Sequence, residues 1–465
     1  MSSPAPALLT DFYQVTMAYA HWVRGRHLQR ASFTLGFRRA PFGGAFALAA
    51  GIDVALDHLA RWSVSDDELD FLAAQVGNDG RPLFSAPFLA FLKGQRFTGD
   101  VWAAPEGTPV FPGAPVLRVE GPLWLAQWVE TPLLTLINFH TLIATKAARV
   151  VAAAAGDPVL EFGLRRAQGF DGGLSATRAA FVGGVHGTSN AHAARLLGVP
   201  ARGTHAHAWV MAHDDEAAAF DAWADAMPNN ATFLVDTWDT LTGVDRAIAT
   251  ARRLRAAGHR PVGIRLDSGD LLALSREARR RLDAAGLHDM LILASDDLDE
   301  HRIAALKAAG APIGAWGVGT RLVTGHDQPA LGGVYKLSAL EGAQGWVGRV
   351  KRSDNPAKSS DPGRLQVRRR WGPNGEALGD TVYAIDDGPP PHPGDDLLVL
   401  QLHAGVAVQP ARSVCAAADH ARAALARIPA AHRRLESAPP YPVERSPTLA
   451  ATRARLLAGG APESP

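Results

Sequence analysis

The middle of this chain repeats one unit, a short apolar run followed by an alanine-rich amphipathic segment, and this repeat limits the possible folds. Apolar runs of strand length occur at residues 159–166, 201–211, 231–237, 261–269, 290–297 and 314–320. The segments between the last five runs have the length and periodicity of helices. Buried parallel strands read as apolar runs, and strand–helix repeats form right-handed crossovers. The pattern predicts an α/β fold with a parallel sheet, and a barrel or a doubly wound sheet would both fit.

Polar residues follow each apolar run at the point where the predicted strand ends. In α/β barrels the active site is built from the loops at these ends. Turns are polar in general, so a single cluster is weak support for a site. Six clusters that include arginines and aspartates favour a site at one face, and they are RR (165–166), THAH (204–207), DTWDT (236–240), RLDSGD (265–270), SDD (295–297) and GVGT (317–320).

The regions on either side of the repeat differ from it in composition. Residues 1–125 combine amphipathic stretches with strand signals separated by Pro and Gly, which predicts an N-terminal α+β domain. Residues 126–340 form the predicted α/β domain. Residues 341–465 form a predicted strand-containing extension, and its tail after residue 440 is rich in Pro, Ser and Ala, which predicts poor order.

Composition excludes several classes of protein. The 465 residues are 47% hydrophobic and 20% charged, so the chain can bury a core and is expected to be a soluble globular protein. A formal charge of +1 predicts no general attraction to nucleic acid or to an anionic membrane. Cys415 is the only cysteine, which excludes an intrachain disulfide. No stretch reaches the roughly 18 apolar residues of a membrane helix, and we expect a cytoplasmic protein.

Basic side chains and glycines occur together at the strand ends, which suits a phosphorylated ligand. Arginine offers paired N–H groups to carboxylate or phosphate, and glycine lets backbone N–H groups approach an oxyanion. A glycine-rich turn by itself is often only structural. The candidates for binding an anion are Arg165, Arg166, Arg265, Gly317, Gly319 and Thr320.

Two aspartates, Asp267 and Asp270, follow Arg265 around a predicted turn. Carboxylates in such positions could bind Mg²⁺ through water or accept hydrogen bonds from ribose hydroxyls. Asp270 has an equally good structural explanation, since Asp is among the best residues to cap the helix that follows. Asp267 has no such simple structural role.

Two histidines, His205 and His207, lie in the run 201–211, which we predict to be a strand. Side chains alternate along a strand, so both imidazoles would lie on one face. A His-x-His pair at a strand end is typical of the metal-dependent barrel hydrolases, which need further His and Asp ligands from later strands. The later strands supply Asp but no His at a strand end, which disfavours the hydrolase.

Seven motifs in one order resemble the nicotinate phosphoribosyltransferase family. The resemblance covers roughly residues 8–340, and the basic stretch KRSDNPAKSSDPGRLQVRRR extends it to about residue 370. It implies an irregular α/β barrel of the type II phosphoribosyltransferase kind. The motifs are TDFYQVTM, EFGLRRAQGFDGG, GTHAHAWVM, LVDTWDT, GIRLDSGD, GVGTRLVT and LGGVYKL.

The resemblance implies a reaction and a set of residues. Nicotinate and phosphoribosyl pyrophosphate would give nicotinate mononucleotide and pyrophosphate, with Mg²⁺ as cofactor and ATP hydrolysis coupled through a phosphorylated histidine. His207 occupies the position of that histidine, and Asp267 is predicted to act with it in catalysis. No residue is assigned as a metal ligand, and a homodimer is implied. The substrate-binding residues would be Tyr13, Arg165, Thr204, Arg265, Gly317, Gly319 and Thr320.

Three other functions remain open. A nicotinamide phosphoribosyltransferase shares the fold and the coupling histidine, although GTHAHAW and TDFYQVTM resemble the nicotinate branch more closely. A metal-dependent barrel hydrolase would use His205 and His207 as ligands. A non-catalytic nucleotide-binding module is disfavoured because acidic and basic residues are both present at the strand ends.

Overall fold

The structure of the chain is a computed structural model that describes residues 4–351 and 359–459. Residues 352–358, in the basic stretch that resembles the family, lie outside the described residues. The strands are β1 (Ala5–Pro6), β2 (Arg30–Phe37), β3 (Ala47–Leu48), β4 (Trp62–Ser63), β5 (Asp100–Ala103), β6 (Pro109–Val110), β7 (Pro115–Pro122), β8 (Val159–Glu161), β9 (Gly187–Thr188), β10 (Thr232–Leu234), β11 (Gly263–Leu266), β12 (Leu291–Ala294), β13 (Ala315–Val318), β14 (Gly333–Gly342), β15 (Gly345–Gly348), β16 (Leu365–Trp371), β17 (Ala377–Ala384), β18 (Asp395–Asp396), β19 (Val399–His403), β20 (Val406–Ala407) and β21 (Val443–Arg445).

The helices differ widely in length, from four residues to 24. They are α1 (Phe12–Val23), α2 (Ile52–Arg61), α3 (Asp66–Ala73), α4 (Ala86–Leu92), α5 (Leu123–Trp128), α6 (Glu130–Ala153), α7 (Gly169–Val182), α8 (Ala191–Leu197), α9 (His207–Met211), α10 (Glu216–Ala226), α11 (Thr240–Ala256), α12 (Leu271–Ala284), α13 (Glu300–Ala308), α14 (Thr320–Val323), α15 (Val414–Ala426) and α16 (Pro447–Leu457). Within the described part of the chain, no helix is both long and apolar enough to span a membrane.

The chain forms two compact units. The first comprises Met1–Leu142 and Ala330–Pro465, and the second comprises Ile143–Pro329. The C-terminal residues belong to the first unit because β14 pairs with β2 and β19 pairs with β5. These units are bounded differently from the three predicted parts, and the division into three folding domains stays a prediction.

The second unit is built on a parallel sheet that, over the described residues, has the strand order β10-β11-β12-β13-β8-β9. Helices α11, α12 and α13 connect the four consecutive strands from β10 to β13. Five of the six predicted strands and the four predicted helices of this region are confirmed. The α/β class is also confirmed. No pairing joins the edge strands β9 and β10 among the described residues, so the sheet is an open half-barrel, and the irregular barrel stays a prediction.

The prediction that residues 201–211 form a strand is wrong. Only Ala201 makes a bridge, to Thr188, and residues 207–211 form the short helix α9. The segment HAWVM contains two good helix formers, Ala and Met, and it pairs with none of the described strands. His205 and His207 therefore do not lie on one face of a strand. A strand that the sequence analysis did not predict, β9, pairs with β8 in its place.

Aspartates at the strand ends begin three of the connecting helices. The side chains of Asp239, Asp270 and Asp299 accept hydrogen bonds from backbone N–H groups in the first turns of α11, α12 and α13. Such caps satisfy N–H groups that have no partner within the helix. The structural explanation for Asp270 is confirmed, so part of the polar pattern at the strand ends serves the fold.

The first unit contains an antiparallel sheet, of order β15-β14-β2-β7-β5-β19-β20 over the described residues, and a smaller sheet of order β18-β16-β17-β21. Its core is rich in aromatic residues, among them the fully buried Trp62 and Trp128. Trp62 meets Trp128 edge to face, with ring centroids 6.1 Å apart, a favoured geometry for aromatic pairs.

The prediction of a poorly ordered tail after residue 440 is wrong up to residue 459. Tyr441 stacks on Phe111 with ring centroids 3.6 Å apart, and its hydroxyl donates to Asp380. Strand β21 pairs with β17, and Leu449 of α16 is buried. The composition suggested disorder because Pro, Ser and Ala are frequent, but a few apolar residues fix the segment to the sheet.

This arrangement predicts that Asp380→Asn destabilises the protein. Asp380 and Arg369 are both buried and joined by two hydrogen bonds of 2.8 Å, so the variant leaves a buried guanidinium without its counter-charge. We expect a loss of about 3 to 5 kcal/mol in the free energy of unfolding, measured by urea denaturation. Asp419→Asn, which breaks an exposed ion pair with Arg422, is the control and should leave stability unchanged. Equal effects of the two variants would contradict the role given to the buried ion pair of Arg369 and Asp380.

Candidate active site

Two cavities open at the carboxyl ends of the parallel strands, where sequence analysis predicted the site. They have volumes of about 600 Å³ and about 310 Å³. Phe162, Arg165 and Arg265 line both of them. The two cavities therefore adjoin and form one candidate site within the second unit.

The larger cavity, here the apolar cavity, lies between the loop after β8 and the turn that follows residue 201. Its volume is ample for a single aromatic ring with substituents. Besides the three shared residues it is lined by Leu164, Ala167, Gly169, Phe170, Ser189, Gly203, Thr204, His205 and Ala206.

The smaller cavity, here the polar cavity, lies over the ends of β11, β12 and β13. It combines arginines, aspartates and exposed backbone, which suits a phosphorylated ligand that also carries hydroxyl groups or a metal ion. Besides the shared residues it is lined by Arg166, Asp267, Ser295, Asp296, Asp297, Gly317, Gly319 and Thr320.

The ring of Phe162 occupies the boundary between the cavities, and Gly317 makes room for it. A Cβ atom on residue 317 would lie 2.8 Å from two ring carbons of Phe162, closer than such atoms approach. Gly317 lies inside β13, opposite Leu160 of β8. The absence of a side chain at Gly317 is thus explained by the position of the aromatic ring, whereas the predicted role of its N–H group in binding an oxyanion stays a prediction.

Arg265, which is mostly buried, connects the two sides of the site through four hydrogen bonds. Its Nε donates to Ser295 Oγ at 2.8 Å, and its Nη2 donates to Asp267 Oδ1 at 3.1 Å. Its Nη1 donates to Thr204 Oγ1 at 2.9 Å and to the carbonyl oxygen of His205 at 3.5 Å. A guanidinium has five N–H donors, so one remains for a ligand. Arg265 thus positions the predicted site residues Thr204 and Asp267 in addition to any direct contact with substrate.

Asp267 is held from several directions. Ser295 Oγ donates to its Oδ1 at 2.5 Å, and its backbone N–H donates to Asp236 Oδ2 at 2.8 Å. Its Oδ2 lies 3.6 Å from His207 Nε2. The structure thus brings together the two residues that were predicted to act in catalysis.

Arg165 and Arg166 contrast with Arg265. Among the described residues, neither guanidinium has an ion-pair or hydrogen-bond partner, and both side chains are exposed beside the cavities. A guanidinium without an internal partner keeps its paired N–H groups for a carboxylate or a phosphate. Arg165 lines both cavities and Arg166 only the polar one, so the two arginines differ in what they can reach.

A buried carboxylate, Glu161, fixes the loop that carries Phe162 and Arg165. It accepts hydrogen bonds from the backbone N–H of Gly163 at 2.5 Å and from the hydroxyls of Thr177 and Thr188 at 3.0 and 2.6 Å. Glu161 is fully buried, so these donors replace the water that it loses on folding. The contacts join the end of β8 to α7 and β9.

The two histidines of the GTHAH motif lie in different environments. His205 is 4% exposed, and burial lowers its pKa to about 4. The His207 side chain is 40% exposed, and its Nδ1 lies 3.2 Å from Thr237 Oγ1. The two imidazoles were predicted to lie together, whereas the structure buries that of His205 and leaves that of His207 partly exposed.

No preformed metal cage exists in the described ranges, 4–351 and 359–459, since no three His, Cys, Asp or Glu side chains are grouped to hold an ion. Mg²⁺ commonly binds through one or two carboxylates together with substrate phosphates. Asp267, Asp296 and Asp297 line the polar cavity. These oxygen donors fit an Mg²⁺ ion that arrives with a phosphorylated substrate.

The remaining predicted residues have the following positions. Thr320 begins α14 and, with Gly319, lines the polar cavity beside the loop after β12. The next residue, Arg321, pairs with Asp297 at 2.9 Å and with Asp299 at 2.7 Å, which ties α14 to that loop. Tyr13 lies on α1 in the first unit and is half exposed, so its contact with the substrate stays a prediction.

Several residues of the site were not predicted from the sequence. Phe162 and Glu161 lie in a motif that had been noticed only for its arginines, and Ser295, Asp296 and Asp297 in a cluster to which no role was given. Phe162 lies inside the run 159–166, all of which was predicted to be a strand, so no signal in the sequence marked it as a site residue. No signal in the sequence indicated that Ser295 links Arg265 to Asp267.

These features define the class of the protein: an α/β enzyme whose site faces the carboxyl ends of a parallel sheet and suits an anionic ligand. Two family models match the chain. Residues 8–138 match the nicotinate phosphoribosyltransferase (NAPRTase) N-terminal domain, and residues 158–369 match the nicotinate phosphoribosyltransferase (NAPRTase) family. The chain belongs to the nicotinate phosphoribosyltransferase family, and the predicted resemblance is confirmed.

Individual relatives agree with the family models. The chain is 44% identical over 454 residues to a nicotinate phosphoribosyltransferase of Mycobacterium tuberculosis, a match that covers 97% of this chain and 94% of that protein. It is 45% identical over 385 residues to the nicotinate phosphoribosyltransferase of Bacillus subtilis, covering 82% of this chain and 76% of that one.

Solved structures share the fold. The crystal structure of human nicotinic acid phosphoribosyltransferase matches with a TM-score of 0.83 and 34% identity, over 97% of this chain and 100% of that one. A nicotinate-nucleotide pyrophosphorylase from Pyrococcus furiosus matches with a TM-score of 0.72 and 22% identity, over 90% of this chain and 95% of that one, and shows the fold alone.

The contacts of Glu161 predict that Glu161→Gln destabilises the protein. The amide would place an NH₂ group against hydrogen-bond donors, so one buried group would lose its partner. We expect a loss of about 1 to 3 kcal/mol in the free energy of unfolding, measured by urea denaturation. The control is Glu277→Gln, which weakens half-exposed contacts with Arg280 and Arg281 and should cost less than about 1 kcal/mol. A Glu161→Gln protein as stable as the control would contradict the role given to this carboxylate.

Proposed function

We propose that this chain couples ATP hydrolysis to the synthesis of nicotinate mononucleotide from nicotinate and phosphoribosyl pyrophosphate, a step of NAD biosynthesis. The observation that carries the proposal is the pair of adjoining cavities, one apolar and one polar, that share Phe162, Arg165 and Arg265. A planar aromatic acid and a phosphorylated sugar need two such compartments beside each other.

In this proposal nicotinate lies in the apolar cavity with its ring against Phe162. Stacking on an aromatic face stabilises a flat heterocycle. Arg165 offers two parallel N–H groups to the carboxylate, and Arg265 offers its remaining N–H. Thr204, which Arg265 holds in place at 2.9 Å, lines the same cavity. A neutral nicotinamide lacks the charge that these arginines would bind, which favours nicotinate over nicotinamide.

Phosphoribosyl pyrophosphate lies in the polar cavity. Gly319 and Thr320 would receive its ribose phosphate, and Arg166 would bind its pyrophosphate. The ring nitrogen of nicotinate attacks the anomeric carbon of the ribose, the new N–C bond forms, and the C–O bond to pyrophosphate breaks. The boundary at Phe162 is where the two reacting atoms would meet, and holding them in line lowers the entropic barrier.

Charge neutralisation supports the second half of this reaction. Positive charge develops on the sugar while negative charge gathers on the leaving pyrophosphate, so fixed cations close to the leaving oxygen accelerate the step. Arg166 supplies such a charge. When bound, Mg²⁺ would neutralise pyrophosphate further, and one or two of the carboxylates of Asp267, Asp296 and Asp297 would hold it together with the substrate phosphates.

His207 is the proposed site of phosphorylation. One of its ring nitrogens would attack the γ-phosphorus of ATP and release ADP, and later hydrolysis would return the histidine and release phosphate. Its exposed ring is oriented between Thr237 at 3.2 Å and Asp267 at 3.6 Å. Because Asp267 also lines the polar cavity, a phosphate on His207 would change the charge beside the pyrophosphate site.

The proposal includes a homodimer in the cytoplasm, for which family membership is the support.

The first test measures product formation from phosphoribosyl pyrophosphate with nicotinate or nicotinamide, each with and without ATP. We expect nicotinate mononucleotide, formed faster with ATP, and loss of the ATP effect in His207→Ala. His213→Ala is the matched control, since His213 lies beyond the other end of α9 and should keep the stimulation.

Each alternative gives a different result in this assay. Faster synthesis with nicotinamide would assign the chain to the nicotinamide branch. No product with either base would refute the transferase, and stoichiometric zinc in the purified protein would then support a hydrolase. Binding of both substrates without turnover would indicate a non-catalytic module. If His207→Ala abolished ATP hydrolysis but left ATP-stimulated synthesis intact, the proposed coupling would be wrong.

The unequal reach of the two free arginines gives a second prediction. Arg165→Lys keeps the charge but loses the paired N–H groups, so the KM for nicotinate should rise about 10- to 100-fold. Arg166→Lys should raise the KM for phosphoribosyl pyrophosphate and leave that for nicotinate nearly unchanged, because Arg166 lines only the polar cavity. Steady-state kinetics with each substrate varied in turn would measure both. Equal effects of both variants on both substrates would contradict the two-cavity arrangement.

A further inference from the structure

We propose that His205 is a positioning residue whose imidazole anchors the turn of residues 203–207 to the edge of the parallel sheet and thereby orients Thr204 and His207. This inference rests on the proposed function only for its catalytic consequence. From the sequence, His205 had no proposed role except as a ligand of the disfavoured metal site. Its contacts now supply one.

Strand β10 is the edge of the sheet, so part of its backbone faces away from β11. The N–H of Val235, just after the strand, donates to the backbone carbonyl oxygen of Arg265 in β11 at 3.3 Å. The preceding N–H, that of Leu234, points to the opposite side because successive N–H groups alternate along a strand. There it donates to His205 Nε2 at 3.3 Å. The imidazole thus takes the place of a neighbouring strand at this position.

The contact fixes the protonation state of the ring. An N–H donor must meet a lone pair, so Nε2 carries no proton and the proton of the uncharged ring is on Nδ1. The pKa of His205, lowered to about 4 by burial, agrees with an uncharged ring at neutral pH. The Nδ1 atom is buried.

Aromatic neighbours hold the ring in position. The indole of Trp223 meets it edge to face, with centroids 5.2 Å apart and planes at 68°, and the ring of Phe220 lies 6.1 Å away. Both neighbours belong to α10. The imidazole therefore lies between the edge strand and a helix, where its plane and its acceptor atom are fixed by packing.

The turn is held from its other side by Arg265, whose Nη1 donates to Thr204 Oγ1 at 2.9 Å and to the carbonyl oxygen of His205 at 3.5 Å. His205 is thus held through its imidazole by β10 and through its backbone carbonyl by β11. His207 follows two residues later and begins α9. The direction in which its ring leaves the backbone depends on this anchor, as does the position of Thr204 in the apolar cavity.

Two substitutions distinguish the effect of the hydrogen bond between His205 and Leu234 from the effect of packing alone. In His205→Gln the amide oxygen can accept the Leu234 N–H, and in His205→Leu the volume is filled but the acceptor is lost. We expect His205→Leu to slow phosphorylation of His207 by ATP about 10- to 100-fold and to raise the KM for nicotinate, because a misplaced catalytic group costs this much. His205→Gln should stay within about threefold of the wild type by the same reasoning. His213→Leu is the control for loss of a nearby histidine.

The outcomes are distinct. A rescue by Gln that Leu does not give supports the anchor. Equal activity of His205→Leu and wild type would overturn it, as would equal loss in both variants, since retaining the acceptor would then have no effect. Phosphate found on His205 by mass spectrometry would also overturn it, because the ring would have to leave its buried position.

A measurement on the unmodified protein decides the case even if the Leu variant does not fold. Nitrogen-15 NMR of histidine-labelled wild-type protein distinguishes the two tautomers and the charged ring. We expect His205 to carry its proton on Nδ1 between pH 6 and 8. A proton on Nε2, or a charged ring, would overturn the anchor. If the wild type made no nicotinate mononucleotide, the proposed function would fail, while the tautomer would still test the anchor.

Discussion

The guanidinium of Arg265 makes the contacts on which the rest of the site depends. It lies on β11 at the carboxyl end of the sheet and binds the turn that carries Thr204, the serine that follows β12 and the carboxylate of Asp267. A mostly buried guanidinium needs several acceptors to replace the water that it loses, and here loops from three parts of the chain supply them. The guanidinium of Arg265 thus helps to position Thr204, the backbone of His205 and the carboxylate of Asp267.

Around this cation the site divides into an apolar and a polar cavity. The division depends on the ring of Phe162, which has room because residue 317 has no side chain. Beneath the ring, the buried carboxylate of Glu161 fixes the loop that presents Phe162 and Arg165. Because the contacts of the loop are internal, Arg165 and Arg166 remain available for a ligand. The loop is fixed by internal contacts, and the N–H groups of its two arginines are free to bind a ligand. This arrangement suits a reaction that joins an aromatic acid to a phosphorylated sugar.

Much of the fold could be predicted from the sequence because periodicity and caps are local. The alternation of apolar runs and amphipathic segments identified five of six parallel strands, and Asp270 was recognised as a possible cap. The failures have physical causes. Residues 201–211 resembled a strand, but strand formation needs a partner that the sequence does not reveal. The tail after residue 440 resembled a disordered segment, but Tyr441 is fixed by Phe111 and Asp380, which are distant in sequence. The links from Arg265 to Ser295 and from His205 to Leu234 also depend on tertiary structure.

The central claim is that the two cavities form one site, with the base on the Phe162 side and the phosphorylated sugar above β13. A crystal structure of the protein with nicotinate mononucleotide would test it most directly. The account predicts the pyridine ring against Phe162, its carboxylate at Arg165 and the phosphate at Gly319 and Thr320. A nucleotide bound outside these cavities, or bound with its pyridine ring among the aspartates of the polar cavity, would contradict it.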